Sequence, residues 1–374
     1  MIIKEIDTDK RKEVNAFLNL PFRIYKDCPQ WVPPLVGDER AMLNRRNHAF
    51  YRNGEAVFLM AFSQRGEPLG RLAVLDNFNY NQHNSTSTVF FYLFETVPDE
   101  AVAKALFQAA FEWAQKRGKN EMLGPKGFSA LNGLGMLVKG FEFRPAMGIP
   151  YNHAYYPVFM DSMGFTPLRD ILSGYLSGNQ RIPQKIHEIS RRVQEKRGLQ
   201  VDVYRSRGDL RKMLPYLKDL YNGSLVGTSG NAPLTDAEVR GIADQILWFA
   251  DPRLIKVLWK GERPVGFLLA YPDITPALQR TGGKLWPFGW LEIMKELRRA
   301  EWIDINGAGI IEEYRGLGGT AILFSEMEKS ILAGGFKHAD IVQVGVENER
   351  MQRELSSLGI DFYKMHRIYH RKIE

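Results

Sequence analysis

The stretch Ile310-Ile311-Glu312-Glu313-Tyr314-Arg315-Gly316-Leu317-Gly318-Gly319-Thr320-Ala321-Ile322-Leu323 joins an apolar strand to an amphipathic helix. Its glycines allow the backbone to approach an anion closely, and the free N–H groups at the start of the helix point outward. The helix dipole places positive potential at the same end, and Arg315 adds a cation. This stretch therefore predicts a site for a ligand with linked phosphates.

The chain on both sides of this loop predicts alternating strands and helices. The predicted strands cover residues 199–204, 254–259, 265–271, 302–311, 338–344 and 361–369, and the predicted helices cover 211–225, 236–249, 318–333 and 349–358. Such alternation implies an α/β sheet.

The first half of the chain predicts the same order of elements. A hairpin of 56–62 and 69–75 precedes a strand at 88–94 and a helix to about Arg117, and Ala105 to Gly118 aligns without gaps with Ala321 to Gly334. We therefore expect an internal duplication. Residues 95–100 place three carboxylates and a proline at the helix start. The negative charge of these carboxylates repels pyrophosphate. The first half is thus predicted to be structural or to bind an acceptor.

The loop at Arg315 resembles the acetyl-coenzyme A loop of the GCN5-related N-acetyltransferase (GNAT) superfamily, R/Q-x-x-G-x-G/A. Arg315 and Gly318 match this pattern, and Thr320 replaces its second Gly or Ala. The whole chain also resembles uncharacterised bacterial tandem GNAT-like proteins. The resemblance implies an α/β fold of two tandem GNAT-like mixed-sheet domains. Residues 1–175 form a first domain without the phosphate loop, 176–198 a basic linker helix, and 199–374 a domain with the acyl-coenzyme A loop.

The same resemblance implies transfer of an acetyl or other acyl group from coenzyme A, as co-substrate, to an amine acceptor. Candidate general bases on or beside the fourth strand are Glu301, Asp304 and Glu312. The residues implied to bind the coenzyme A thioester are Gly309, Ile310, Ile311, Arg315, Gly316, Leu317, Gly318, Gly319, Thr320 and Asn348. The tyrosine that often protonates the thiol in this family is absent from residues 354–357, which leaves water or Tyr363.

Two other functions stay open from the sequence. Tandem GNAT-like halves also occur in transferases that use aminoacyl-tRNA, and the basic segment 176–198 would then bind RNA. A catalytically inactive ligand-binding or scaffold protein is the second alternative. Outside the RNA alternative, the formal net charge of +7 comes without a basic block interleaved with aromatics, so nucleic acid is not an expected partner.

Composition bounds the remaining expectations. The single cysteine, Cys28, and seven histidines without an H-x-x-x-H pair predict no metal site and a cytoplasmic location. No apolar run reaches the ~18 residues of a membrane span, so no membrane association is expected, and the protein is expected to be a monomer or a homodimer. The aromatic residues of 151–156 are expected to pack in the core, with an acceptor pocket as the alternative. Segment 281–290 is expected to pack between the domains, whereas exposed aromatics there would indicate a binding lid.

Overall fold

The computed structural model describes residues 1–130, 132–225, 232–347 and 349–373. Thirteen strands from these residues join in one continuous sheet. In chain order they are β1 (Ile2–Glu5), β2 (Gly54–Phe62), β3 (Pro68–Asn77), β4 (Thr88–Thr96), β5 (Glu121–Gly124), β6 (Met136–Lys139), β7 (Thr166–Ser177), β8 (Leu199–Val201), β9 (Ile255–Lys260), β10 (Arg263–Pro272), β11 (Trp302–Ile310), β12 (His338–Gly345) and β13 (Asp361–Lys372).

Helices cover the faces of this sheet. In chain order they are α1 (Arg11–Ile24), α2 (Val36–Leu43), α3 (Phe78–Asn84), α4 (Glu100–Gln115), α5 (Tyr155–Ser162), α6 (Gln184–Arg197), α7 (Arg207–Arg211), α8 (Leu214–Leu225), α9 (Asp236–Phe249), α10 (Thr275–Thr281), α11 (Gly289–Arg299), α12 (Gly319–Gly334) and α13 (Glu349–Ser357). Short 3-10 helices lie at Ala49–Arg52, Pro252–Leu254 and Glu312–Tyr314. No helix within the described ranges has both the length and the apolar content that a membrane crossing requires.

The two halves of the sheet repeat one pattern of pairing. Strands β1 to β4 pair antiparallel with their neighbours in the chain, and β4 pairs parallel with β5. Strands β8 to β11 are likewise antiparallel, and β11 pairs parallel with β12. The repeated order agrees with the duplication expected from the sequence.

The two halves exchange their last strands at the centre of the sheet. The strand order there is β5-β13-β7-β12, so β13 from the end of the chain pairs with β5 of the first half. Conversely, β7 pairs with β12 of the second half, through His338↔Ser177 to Gly345↔Ile171. The predicted linker at 176–198 begins inside β7. The division of the chain into two sequential domains stays a prediction, because the strands of both halves belong to one sheet.

The core follows the amphipathic helices. The N-cap of helix α4 is Asp99, whose carboxylate accepts a hydrogen bond from the Ala101 N–H at 2.9 Å. The helix buries Val102, Leu106 and Phe107 against the first-half sheet. Each such side chain contributes about 1.5–3 kcal/mol on burial. Helix α12 buries Ile322, Leu323 and Phe324 in the corresponding place of the second half. Each half of the sheet thus has a hydrophobic core of its own.

Several elements differ from the sequence prediction. The strand expected at 199–204 ends at Val201, and the segment rich in glycine and proline after Gly124 contains β6. The insertion after Pro272 is mostly helical, since it contains α10 and α11. The strand β7 was not predicted, because Gly174 and the charged Arg169 and Asp170 interrupt its apolar alternation.

Candidate functional site

The parallel strands β11 and β12 separate half-way along their length. Their pairing runs from Trp302↔His338 to Ile305↔Ile341 and stops there. Beyond this point β11 carries a bulge at Gly307, with φ of 126°, and β12 carries Gln343 with φ of 60°. Such irregularities bend strands away from their partners. A cleft therefore opens between the carboxyl-terminal ends of the two strands.

The cleft side of β11 presents backbone groups without a strand partner. On its other side the strand pairs with β10, and the Ile311 N–H donates to the Val265 carbonyl at 3.0 Å. Because successive residues of a strand alternate in direction, the N–H groups of Ala308 and Ile310 point toward the cleft. A Cβ at Gly309 would lie 2.6 Å from Ser224 atoms, so only glycine fits between this strand and α8.

The loop after β11 leads into an uncapped helix. Gly316 and Gly318 have φ of 79° and 92°, which only glycine adopts readily, and Gly318 is the N-cap of α12 without any side chain that accepts from the first turn. A Cβ at Gly319 would lie 2.7 Å from Leu258. Backbone N–H groups at such a helix start suit the oxygens of a phosphate group.

Arg315 fixes the loop through two carbonyls. Its Nε donates to the Ile310 carbonyl at 3.1 Å, and one terminal nitrogen donates to the Ser224 carbonyl at 3.0 Å. From the other side Arg197 of α6 donates to the Leu317 carbonyl at 3.1 Å. Two guanidinium groups thus keep positive charge beside the start of α12, and the loop fits an anionic ligand in charge and in backbone geometry.

A large apolar cavity of about 470 Å³ adjoins this cleft. Gly307 and Ala308 line it from β11, and Ser224 lines it at the point where its carbonyl holds Arg315. The first half contributes Leu134 to the cavity wall, where the Leu134 backbone and the Gln343 side chain form two hydrogen bonds, at 2.8 and 3.2 Å. Further apolar lining comes from α8, α9 and the sheet, including Leu217, Leu220, Val239, Ile242, Phe267 and Val344.

Comparison with known proteins adds to this geometry. No family model matches the chain. Among solved structures, a tandem GNAT protein from the clavulanic acid biosynthesis pathway superposes with a TM-score of 0.58 at 11% identity, covering 100% of this chain and 98% of that one. A GCN5-related N-acetyltransferase from Sphaerobacter thermophilus gives a TM-score of 0.53 at 12% identity, covering 100% and 96%. This chain has the tandem GNAT fold.

Two proteins are similar to the tandem GNAT chain in sequence over nearly its whole length. Protein YghO of Escherichia coli (strain K12) is 22% identical over 376 residues, covering 97% of this chain and 94% of its own. The bacterial ceramide synthase of Caulobacter vibrioides (strain NA1000 / CB15N) is 25% identical over 378 residues, covering 96% and 95%. The superposition on the tandem GNAT structure confirms the fold expected from the sequence.

The tandem GNAT fold brings together most of the predicted donor-binding residues. Gly309 and Ile310 end β11, Ile311 follows them, and residues 315–320 form the loop into α12 and the first two residues of that helix. Thr320 lies in the first turn of α12, half-buried, and does not interrupt the helix start. Asn348 lies outside the described residues, so its predicted contact with the cofactor stays a prediction.

The three predicted bases lie in three different places. Glu301 precedes β11 and forms an exposed ion pair with Lys337, about 30 Å from Ile310 at the strand rise of ~3.3 Å per residue. Glu312 is exposed in the short helix beyond β11, beside the loop. Asp304 is buried under the first half, where its Oδ2 accepts the Met147 N–H at 3.0 Å. The structure does not bring these carboxylates together.

Asp304 belongs to a buried acidic group at the centre of the molecule. Burial, together with the charges of Asp273 and Asp340, raises the pKa of Asp304 well above its ordinary value. Lys364 compensates part of this charge through a hydrogen bond to Asp340 Oδ2 at 2.6 Å, and the Tyr363 hydroxyl donates to the same oxygen at 2.9 Å. Tyr363, the predicted thiol donor, is thus engaged in this cluster. Among the described residues, no three His, Cys, Asp or Glu side chains are arranged to hold a metal.

A second, small cavity of about 260 Å³ lies at the corresponding position of the first half. It shares Asn132, Ile255, Leu269 and Asn306 with the large cavity, so the two cavities adjoin. Glu95 of β4 lines it and accepts hydrogen bonds from Tyr25 at 2.6 Å and Tyr156 at 2.7 Å. Burial raises the pKa of Glu95 to about 7, although the nearby Arg71 opposes the rise.

Glu95 takes the place that Ala308 has in the second half. Arg71 pairs with Glu95 and Ala73 with Tyr92 across a bulge, just as Leu268 pairs with Ala308 and Ala270 with Ile305. The sequence showed Glu95 only as one of several carboxylates unfavourable to phosphate. The enclosure of its carboxylate between two tyrosines, in a half-buried residue, was not predictable, since a charged residue late in a strand usually reaches solvent.

Proposed function

We propose that this protein transfers an acyl group from coenzyme A to an amine acceptor at the cleft between β11 and β12. The observation that carries the proposal is the junction of three features at this cleft. These are the cleft-facing edge of β11 at Ala308 and Ile310, the uncapped start of α12 at Gly318, and the adjoining apolar cavity of about 470 Å³. Pantetheine would pair with the strand edge and pyrophosphate with the helix start. This use of coenzyme A suits a cytoplasmic enzyme.

The large cavity favours a long acyl chain over acetyl. An acetyl group would leave most of a cavity of about 470 Å³ empty, whereas a fatty acyl chain would bury its methylene groups against Leu217, Leu220 and Val239. Each buried methylene contributes about 0.8 kcal/mol. The similarity to a protein named bacterial ceramide synthase supports the same choice, because a ceramide is the fatty amide of a long-chain amino alcohol.

The proposed step is direct attack of a neutral amine on the thioester carbonyl. The carbon–nitrogen bond forms, the carbon–sulfur bond breaks, and the departing thiolate takes up the proton that the nitrogen loses. Backbone N–H groups of Ala308 and Ile310, which face the cleft, would stabilise the negative charge on the carbonyl oxygen. Of the carboxylates predicted as base, Glu312 lies nearest to this point along the chain, whereas Asp304 and Glu301 lie toward the other end of β11.

Thermal unfolding with palmitoyl-coenzyme A, acetyl-coenzyme A or neither tests the donor site. A ligand at 100 times its Kd stabilises the folded state by about 2.7 kcal/mol. We expect stabilisation by both thioesters, larger at equal concentration for palmitoyl-coenzyme A, and its loss in Arg315→Glu. The matched control is Arg65→Glu, a charge reversal in an exposed turn of the first half. Absence of any shift at millimolar thioester would contradict the proposal.

The aminoacyl-tRNA alternative makes a different prediction for α6. This helix exposes Arg191, Arg192 and Lys196, and binding of tRNA through it would weaken steeply with salt. A tRNA shift that is lost in a triple Glu variant of these residues, without stabilisation by thioesters, would favour that alternative. Stabilisation by thioesters without release of coenzyme A to any amine would favour the inactive ligand-binding protein.

A further inference from the structure

The small cavity of the first half holds an incompletely neutralised acid. Arg71 and Glu39 form a buried two-point ion pair, at 3.2 and 3.3 Å, so this arginine is already matched by one carboxylate. Glu95 receives only neutral donors, the hydroxyls of Tyr25 and Tyr156. When Arg71, Glu39 and Glu95 are all charged, these three groups carry one surplus negative charge, and Asp38 adds a further carboxylate to the cavity lining. A cation entering the cavity would compensate it.

Aromatic rings surround the same carboxylate. Tyr25 stacks on Trp31 with ring centroids 5.1 Å apart and on His153 at 4.8 Å, and both Trp31 and Tyr156 line the cavity with Glu95. Ring faces attract ammonium groups, most strongly where water is excluded. The carboxylate and the rings together select an organic cation over a metal ion, because ring faces provide no ligand oxygen.

We propose that this cavity binds the ammonium group of the amine acceptor and that Glu95 is the base that removes its proton. The inference rests on the proposed acyl transfer, since the cavity adjoins the large cavity through Asn132, Leu269 and Asn306. The proton passes from the ammonium nitrogen to a Glu95 carboxylate oxygen, which leaves a neutral amine. The second proton leaves the nitrogen as the amide forms and goes to the thiolate. In this arrangement the first half supplies the acceptor site and the second half the donor site.

The groups around Glu95 set its pH response. They are the hydroxyls of Tyr25 and Tyr156, the ionised Arg71–Glu39 pair, and Tyr155, whose hydroxyl donates to the Thr96 carbonyl at 2.7 Å. A base with a pKa near neutrality loses its proton-accepting form as the pH falls below that value. The rate of acyl transfer should therefore fall about tenfold per pH unit below pH 7 and level off above it.

The first test measures release of coenzyme A from palmitoyl-coenzyme A with dodecylamine as acceptor. In Glu95→Gln we expect a loss of rate of about 100-fold or more and the disappearance of the break near pH 7. Stabilisation of this variant by palmitoyl-coenzyme A should persist, which separates loss of the base from loss of the donor site. Glu67→Gln, at an exposed turn of the same half, should keep the rate and the break. An unchanged rate and pH profile in Glu95→Gln would overturn the proposal.

The second test does not depend on acyl transfer. Calorimetric titration at pH 8 compares dodecylamine with 1-dodecanol, which has the same chain but no charge. We expect the amine to bind at least tenfold more tightly to the wild type, and this preference to vanish in Glu95→Gln. Equal binding of amine and alcohol by the wild type would refute the acceptor site even if coenzyme A binding and acyl transfer are found. Amine preference without thioester binding would instead refute only the donor site.

A different observation carries a second proposal, on the surface of α10, α11 and the segment between them. Helix α11 buries Ile293 against the first half, in a cluster with Leu35 and Val32, and so the insertion packs between the halves as expected. Its aromatic tip does not, because Trp286 is 80% and Phe288 71% exposed. The exposed apolar residues of this surface are Trp286, Phe288, Trp290, Leu291 and Met294.

The segment that carries this apolar patch has a surplus of basic side chains. Residues 280–300 contain five basic and two acidic side chains. The two acids, Glu292 and Glu296, already pair with Arg280 and with other basic residues of the segment. An amphipathic helix with exposed tryptophan and surplus lysine and arginine is typical of segments that lie in the interface of an anionic bilayer.

We propose that this patch, Trp286 to Arg299, docks on the surface of an anionic lipid bilayer. This differs from the expectation of no membrane association, which rested on the absence of a spanning segment, because a docked helix lies on the bilayer and does not cross it. The proposal itself depends only on exposure and charge.

Co-sedimentation with vesicles of 70% phosphatidylcholine and 30% phosphatidylglycerol tests it. We expect binding that weakens with salt and falls at least tenfold in the double variant Trp286→Ser, Phe288→Ser. The matched control is Val158→Ser with Leu168→Ser, which removes two exposed apolar side chains from the first half. No sedimentation of the wild type, or equal sedimentation of both double variants, would overturn the proposal. A dimer that only the tryptophan variant dissociates would assign the patch to a second copy of the chain instead.

Discussion

Replacement of Glu95 by glutamine should increase the free energy of unfolding, relative to that of the wild type, as the pH rises from 5 to 8. Burial raises the pKa of this carboxyl from 4.5 to about 7 in the folded state. The protonated form is therefore favoured by folding, and its contribution to stability is complete below the unfolded pKa of 4.5 and is lost as the pH rises toward 7. Glutamine keeps the shape and an oxygen for Tyr25 and Tyr156 but cannot ionise.

The size of the effect follows from the shift. At about 1.36 kcal/mol per pKa unit the full difference is about 3 kcal/mol, of which about 2.5 kcal/mol falls between pH 5 and pH 8. The free energy of unfolding of Glu95→Gln minus that of the wild type should increase by this amount over that interval. Groups that titrate in both proteins, such as His366, cancel in the difference.

Urea unfolding followed by circular dichroism at pH 5, 6, 7 and 8 measures this difference directly. The control Glu67→Gln replaces an exposed carboxyl and should give a difference that is independent of pH to within about 0.5 kcal/mol. If the Glu95→Gln difference is also constant, then Glu95 has an ordinary pKa in the folded protein. In that case neither the buried carboxyl nor its proposed role as base near neutral pH would stand.

Three further substitutions test other parts of the structure, each by urea unfolding. Arg71→Met leaves its buried carboxylate partner unpaired and should cost about 3–5 kcal/mol. Lys364→Met removes one cation of the central acidic cluster and should cost a similar amount at pH 8, partly recovered at low pH because the pKa of Asp340 is raised by burial. Gly318→Ala should cost about 1–2 kcal/mol because alanine is strained at the φ of 92°. The loss of stability should be larger than this backbone cost, because the new Cβ would lie 2.7 Å from Val193. Gly335→Ala, with φ of 70° and open space, should show the backbone cost alone, and equal losses at both glycines would contradict the packing of α6 on the loop.

The sequence determined the elements whose signals are local. The period of α4 and α12, the hairpins before them, and the glycines after β11 each depend on residues within about fifteen positions, so side-chain spacing and backbone freedom predict them. For the same reason one stretch of sequence was enough to predict the loop at Arg315 and the resemblance to the GNAT superfamily. Thr320 did not prevent the loop from leading into a regular helix start, because that position lies inside the first turn of α12.

Only the tertiary structure decided which distant strands pair. The exchange of β7 and β13 joins residues about 190 positions apart, and no local pattern specifies a partner at that distance. The two adjoining cavities follow from this exchange, because it places the loop around Leu134 against Gln343 of the other half. Glu95 shows the same limit at the level of one side chain. The sequence showed that residue 95 is a glutamate in a strand. The position of its carboxylate between two tyrosines, and hence its raised pKa, depends on residues that lie 61 and 70 positions away along the chain.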